Sequence, residues 1–150
     1  MNIEQIIKST IKLSIPKKVM LNLAYTKNYM GDKFTELLKP YGISSEQYNV
    51  LRILRGQKGN PLNMQDIQER MVTKNSNTTR LIDKLLIKNM VIRNTCPNNR
   101  RKIEIQITDD GLKLLSELDP IIENHELILT DKLSSNELET LNELLEKIRN

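Results

Sequence analysis

Between Asn63 and Thr108 the hydrophobic period of the chain switches from helical to alternating, and this switch limits what the chain can fold into. Asn63 stands where a helix needs an N-cap, with Leu62 and Ile67 spaced as a hydrophobic staple, and the pattern predicts a short helix through about Met71. A second cap at Asn75 or Ser76 opens a helix through Lys88, with Leu81, Ile82 and Leu85 on one side. Asn89 follows where a helix reverses through a left-handed residue, a conformation Asn tolerates second only to Gly. Met90 to Arg93 is then a β-prone run, and Ile103-Glu104-Ile105-Gln106-Ile107 alternates apolar and polar at a strand's period. Cys96-Pro97-Asn98-Asn99-Arg100-Arg101-Lys102 lies between them as a turn-rich tip, and its three consecutive cations require water or an anionic partner. The expected order is helix, tight turn, helix, hairpin.

The segments on either side read as helices. Ile3, Ile6, Ile7 and Ile11 give Asn2 to Lys12 the spacing of a short amphipathic helix or arm, too short to stand alone. Ser14 offers a cap and Pro16 fits the first turn of a helix running to about Leu38, which Pro40 and Gly42 stop. Ser44 and Gln47 form a capping-box pattern for a helix ending near Gly56. Thr108 is placed to cap a helix with Asp109 and Asp110 in its first turn and with Leu112, Leu114, Leu115 and Leu118 as its apolar face. Pro120 is expected to kink that helix. A final helix starts at the Ser134/Glu137 capping box, with Leu133 and Leu138 as staple, and continues its stripe through Leu141, Leu144, Leu145 and Ile148.

Aromatic residues make up 3% of the 150-residue chain, with no Trp and one Phe, so the core must be built from Leu, Ile, Val and Met. One Cys and one His cannot form a disulfide or the usual zinc site, and a reducing cytoplasm fits that usage. No apolar run of signal-peptide or membrane-spanning length is present. The net charge of +4 is unevenly spread: residues 1–69 carry 10 Lys/Arg against 6 Asp/Glu, residues 70–102 carry 9 against 1, and residues 103–150 carry 4 against 12. A basic centre with an acidic tail points to a polyanionic partner for the centre, because summed like charge steers phosphate backbones. Enzyme chemistry finds no support: there is no Gly-rich phosphate loop, no Ser/His/Asp set and no metal-ligand spacing, and no cofactor is expected. The Asp109/Asp110 pair sits where a helix start favours anions.

In order and spacing the chain resembles the MarR family of winged helix-turn-helix transcription regulators. Three pieces carry the resemblance: SSEQYNVLRIL resembles the family's second core helix, NTTRLIDKLLIKNMVIR its recognition helix and first wing strand, and NNRRKIEIQITDDG its wing signature of Asp-x-Arg, five residues, Leu-Thr and a Gly three residues after the Thr. Asn99 stands where the family has Asp, which turns a bracing salt bridge into a neutral hydrogen bond; Asn89 replaces Gly and Ile107 replaces Leu. Leu86 and Ile87 replace polar residues, which predicts extra packing at the end of the recognition helix.

The resemblance implies a mainly α fold with a small β-hairpin wing. It covers one domain: a winged helix-turn-helix lobe over about 44–108, with dimerisation helices over about 1–40 and 109–150. Burial of Thr78, Leu81, Ile82 and Leu85 would leave Ser76, Asn77, Arg80 and Lys84 on the opposite face. Asn77 and Arg80 are assigned to base edges, and Ser76, Thr79 and Lys84 to phosphates, with Asn75 beside them. The resemblance implies that Arg101 enters the minor groove, with Arg100 and Lys102 on phosphates. It also implies a two-fold homodimer on a pseudo-palindromic operator, with recognition helices about 34 Å apart, and a small-molecule effector. Tyr25, Tyr29 and Tyr48 are candidate effector contacts, since Tyr joins an apolar face to a hydrogen-bonding tip; core packing is the competing role for each. Cys96 is a candidate redox switch, and His125 a surface or dimer-contact residue. The expected function is sequence-specific transcription regulation, most simply repression; the alternative is a winged-helix protein working through protein contacts or low-specificity DNA binding.

Overall fold

A computed structural model describes residues 1–150, which form seven helices and one two-stranded antiparallel hairpin. The chain divides into two compact units, Met1–Ser45 and Glu46–Asn150.

In the first unit α1 spans only Ile3–Ile6, a shorter helix than the isoleucine spacing predicts. Asn2 and Gln5 cap each other's backbone reciprocally at its start. Its end is a Schellman turn: Ser9 N–H donates to the Glu4 carbonyl, Lys8 N–H to that of Gln5, and Lys8 takes a left-handed φ of 53°. That reversal ends the helix before Ile11 can join its stripe. Glu4 then accepts the Leu13 N–H at 2.7 Å and pairs with Lys18 at 2.8 Å, which ties α1 to the start of α2 (Ile15–Leu38). Pro16 sits in the first turn of α2, as expected. A 3-10 turn over Lys39–Tyr41 and a left-handed Gly42 (φ 67°) stop α2. Most apolar side chains of α2 remain exposed, Ile15, Met20 and Met30 among them, and only Leu38 is buried.

The second unit begins inside α3 (Ser45–Arg55), one residue past its start, and Tyr48, Val50, Leu51 and Leu54 of that helix are buried. The order is then α4 (Met64–Arg70), α5 (Thr78–Ile87), β1 (Val91–Cys96), β2 (Asn99–Ile107), α6 (Asp109–Thr130) and α7 (Ser135–Arg149). Asn63 caps α4 by accepting the Asp66 N–H at 2.8 Å, and the staple residues Leu62 and Ile67 are both buried. Leu62 also exchanges both backbone hydrogen bonds with Ile105, at 3.0 and 2.7 Å, and so adds a one-residue third strand to the hairpin. Gln106 reinforces the pairing by donating its side-chain amide to the Gly59 carbonyl. Arg55 on α3 and Asp119 on α6 form a two-armed ion pair.

α6 runs on past Pro120, which removes one donor without ending the helix. Three expectations need correction. Leu112 is exposed and lies off the buried stripe of Leu114, Leu115, Leu118 and Ile122. Ile87, expected to add packing, is 82% exposed, whereas Leu86 is half-buried. The hairpin strands run longer than the alternation suggests, and the turn tip shrinks to Pro97-Asn98. The capping box of α7 forms as read, Ser134 and Glu137 serving each other, yet no residue of that helix is buried within the chain.

Candidate nucleic-acid interface

The turn between α4 and α5 decides where the second helix points, and side-chain amides hold it. Asn49 of α3 accepts the Val72 N–H at 3.0 Å. Gln68 of α4 donates to the Lys74 carbonyl and accepts from the Thr78 hydroxyl, which is buried and needs a partner there. Lys74 in turn donates to the Glu69 carbonyl. Reading the sequence missed Asn49 and Gln68, because only the fold brings them to the turn.

The cap of α5 is Asn77, two residues or one beyond the predicted Asn75 or Ser76. Its Oδ1 accepts the Arg80 N–H at 3.1 Å. Ser76 closes the preceding turn instead: its hydroxyl donates to the Thr73 carbonyl at 2.7 Å, and its own N–H goes to the same oxygen. Asn75 is exposed in that turn. Thr78, Ile82 and Leu85 form the buried face of α5, with Leu81 half-buried. Asn77, Thr79, Arg80 and Lys84 are exposed, and Arg80, Lys84 and Ile87 share one face at helical spacing. Asp83, the one acid of residues 70–102, pairs with Arg93 of β1 at 3.4 Å, so it leaves the basic balance of the α5 face largely intact.

At its other end α5 closes with a second Schellman turn. Asn89 takes φ 57°, Met90 N–H donates to the Leu85 carbonyl and Asn89 N–H to that of Leu86. Thr108 pins this corner to α6: it donates its hydroxyl to the Asn89 carbonyl at 2.6 Å and its N–H to that of Met90 at 3.0 Å. The same hydroxyl oxygen accepts the Gly111 N–H at 3.1 Å. A β-carbon on Gly111 would lie 2.5 Å from the Met90 oxygen and 2.7 Å from Ile107 Cγ1, so the corner closes only over a glycine.

In the hairpin the pairing is regular from Val91 opposite Ile107 to Thr95 opposite Ile103, and then Cys96 pairs with Asn99. Arg100, Arg101 and Lys102 therefore have no partner residue on β1 and bulge out of the ladder, all three exposed. They belong to β2 rather than to the connecting turn, which corrects the predicted tip. Asn99 Oδ1 accepts the backbone N–H of Arg101 at 3.1 Å. The expected neutral hydrogen bond thus exists, but to the backbone of Arg101 and not to its guanidinium. Cys96 is a free, half-buried thiol at the end of β1.

The three tyrosines have different surroundings. Tyr25 and Tyr29 are exposed on α2, with the Lys33 ammonium 5.8 Å from the Tyr29 ring centre. Tyr48 is buried in α3 beneath the Arg52 guanidinium, and burial pushes its phenol above the ordinary range. His125 is half-buried on α6. No three His, Cys, Asp or Glu side chains come together to hold a metal ion, and no helix is long and apolar enough to cross a membrane.

The profile of the MarR family matches residues 43–103, from two residues before α3 to the middle of β2. A MarR transcription factor from Planctomyces limnophilus, solved by crystallography, is 34% identical; the match covers 91% of this chain and 98% of that one, with a TM-score of 0.68. The chain belongs to the MarR family. This MarR-family chain is also 29% identical over 132 residues to the HTH-type transcriptional regulator MhqR of Bacillus subtilis, covering 87% of each. Its fold matches that of BpsR from Bordetella bronchiseptica with a TM-score of 0.81 at 20% identity, over 93% of this chain and 99% of that one; that structure concerns regulation of BpsR's DNA binding by 6-hydroxynicotinic acid. The family consists of transcription regulators, not enzymes.

Proposed function

We propose that the chain is a sequence-specific, double-stranded-DNA-binding regulator of transcription: a cytoplasmic homodimeric repressor that a small-molecule effector releases from a pseudo-palindromic operator. One observation carries the reading. The exposed Asn77, Arg80 and Lys84 of α5 and the bulged Arg100, Arg101 and Lys102 of β2 are two cationic elements joined through one short hairpin strand. A helix of this kind suits the major groove, and a narrow arm bearing arginine suits the adjacent minor groove. Asn77 and Arg80 are assigned to base edges; Ser76, Thr79, Lys84, Arg100 and Lys102 to phosphates, with Asn75 beside them; Arg101 to the minor groove.

In this reading the lobe over about 44–108 binds the operator, and the segments over about 1–40 and 109–150 supply the dimer interface. Support comes from apolar side chains uncovered within one chain: Ile15 and Met20 on α2, Leu127 on α6, and Leu141, Leu144 and Ile148 on α7. Burying them against a second copy would recover roughly 25 cal/mol for each Å² removed from water. Tyr25, Tyr29 and Tyr48 remain the proposed effector contacts, with the regulation of BpsR by a small molecule as support.

Selection of bound duplexes from a random pool tests this function. The expected result is an enriched palindrome with half-sites one helical turn apart, accompanied by a dimer mass in light scattering. A monomer that enriches no sequence would overturn it.

A further inference from the structure

Among the exposed residues of α5, Asn77 has a constraint that its neighbours lack. A free asparagine reads adenine with both ends of its carboxamide, the oxygen accepting from N6 and the nitrogen donating to N7. Here the oxygen already accepts the Arg80 N–H at 3.1 Å. That bond also determines which way the amide faces, since only the oxygen can accept from a backbone N–H. Helix capping therefore commits the oxygen to the Arg80 N–H through one of its two lone pairs, while the NH2 group of this exposed residue keeps two hydrogens to donate.

We infer that Asn77 is a specificity-determining residue that reads through its donor end alone, and so selects a keto edge (guanine O6/N7 or thymine O4) instead of adenine. The inference rests on the proposed reading of operator DNA by α5. Guanine offers two adjacent acceptors to the two hydrogens and thymine offers one; adenine sets its N7 acceptor beside the N6 donor, which opposes the second hydrogen and disfavours it, and cytosine presents only a donor and is excluded. Capping and reading then share one residue without conflict: binding DNA does not require the first turn of α5 to open.

The test compares sequences selected by the full-length wild type and by Asn77→Asp and Asn77→Ser. Both replacements keep an oxygen for the cap, and both lack the NH2 group. Wild type is expected to enrich guanine or thymine at one position of each half-site, by about tenfold or more over cytosine. Asn77→Asp is expected to shift that position toward cytosine, whose N4 donates to a carboxylate, and Asn77→Ser to leave it degenerate, with all other positions unchanged. Thermal melting close to wild type in either variant verifies that the cap has been kept. Adenine at the affected position, or an identical consensus in all three proteins, would overturn the inference while leaving operator binding intact. If the wild type enriches no sequence at all, the DNA-reading function falls, and this inference with it.

Discussion

Arg55 grips Asp119 with both arms of its guanidinium, Nη1 to Oδ2 at 2.8 Å and Nη2 to Oδ1 at 2.9 Å, across 64 positions of sequence. The hydrogen bonds that Arg55 donates to Asp119 raise its pKa above the usual value. The pair joins α3 to the middle of α6, next to Pro120. Both side chains are partly exposed, at 35% and 47%, so solvent screening limits what the pair contributes. A double-mutant cycle with Arg55→Gln and Asp119→Asn should give a coupling of about 0.5–1 kcal/mol that shrinks in high salt. A coupling of zero at low salt would show that the two-armed geometry contributes nothing to stability.

Gly111 should not accept a side chain. Alanine ordinarily stabilises a helix by roughly 0.5–1 kcal/mol relative to glycine. At this position the added carbon meets the Met90 carbonyl oxygen at 2.5 Å, and backbone cannot move aside as a flexible side chain can. Gly111→Ala is expected to destabilise the protein by about 1–3 kcal/mol and to lower its melting temperature by several degrees. Equal or higher thermal stability would refute the close approach of α6 to the α5–β1 corner.

The bulged strand should control how binding responds to salt. Arg101→Ala is expected to weaken operator binding and to lower the slope of log affinity against log salt by about 0.9 for each phosphate charge that the side chain neutralises. Asn99→Ala, which removes the acceptor for the Arg101 N–H, should weaken binding less and leave that slope nearly unchanged, since no cation is removed. Fluorescence anisotropy at several salt concentrations reads both quantities, and wild-type affinity and slope in Arg101→Ala would remove the wing from the interface.

Acid should loosen the start of the chain. The Leu13 N–H, and next the Lys18 side chain, hold the Glu4 carboxyl below its ordinary 4.5. A carboxylate depressed by folding contributes stability that is present above the unfolded value and is lost as pH falls through the folded one. The Leu13 amide should therefore be protected from hydrogen exchange at neutral pH and lose that protection, relative to amides in the middle of α2, as pH drops below about 4.5. Glu137, depressed by the Ser134 N–H and then its hydroxyl, gives the first turn of α7 the same direction of response. In Glu4→Gln the Leu13 response should vanish, because the replacement accepts the same hydrogen bond at every pH; an identical acid response in that variant would point to another group.

Much of this fold can be read locally because its helix ends depend on residues only a few positions apart. The Asn63, Thr108 and Ser134 caps, Pro16 in the first turn of α2 and the left-handed Asn89 all act within one turn of their own backbone. Elsewhere local rules compete. Asn75, Ser76 and Asn77 are all good caps, and the choice fell to Asn77 where Gln68 holds the Lys74 carbonyl and the Thr78 hydroxyl. The alternation of Ile103 to Ile107 marks a strand but carries no sign of the register slip beyond Ile103 that bulges out Arg100 to Lys102.

The sequence by itself determined the order of elements, the cationic centre and the family, because capping, period and net charge are properties of short stretches and their spacing. Tertiary structure decided which oxygen each amide uses, that Leu62 pairs with Ile105, and that Gly111 must lack a side chain. Those outcomes require groups distant in sequence to approach within hydrogen-bonding or van der Waals distance, and only the folded backbone brings them there.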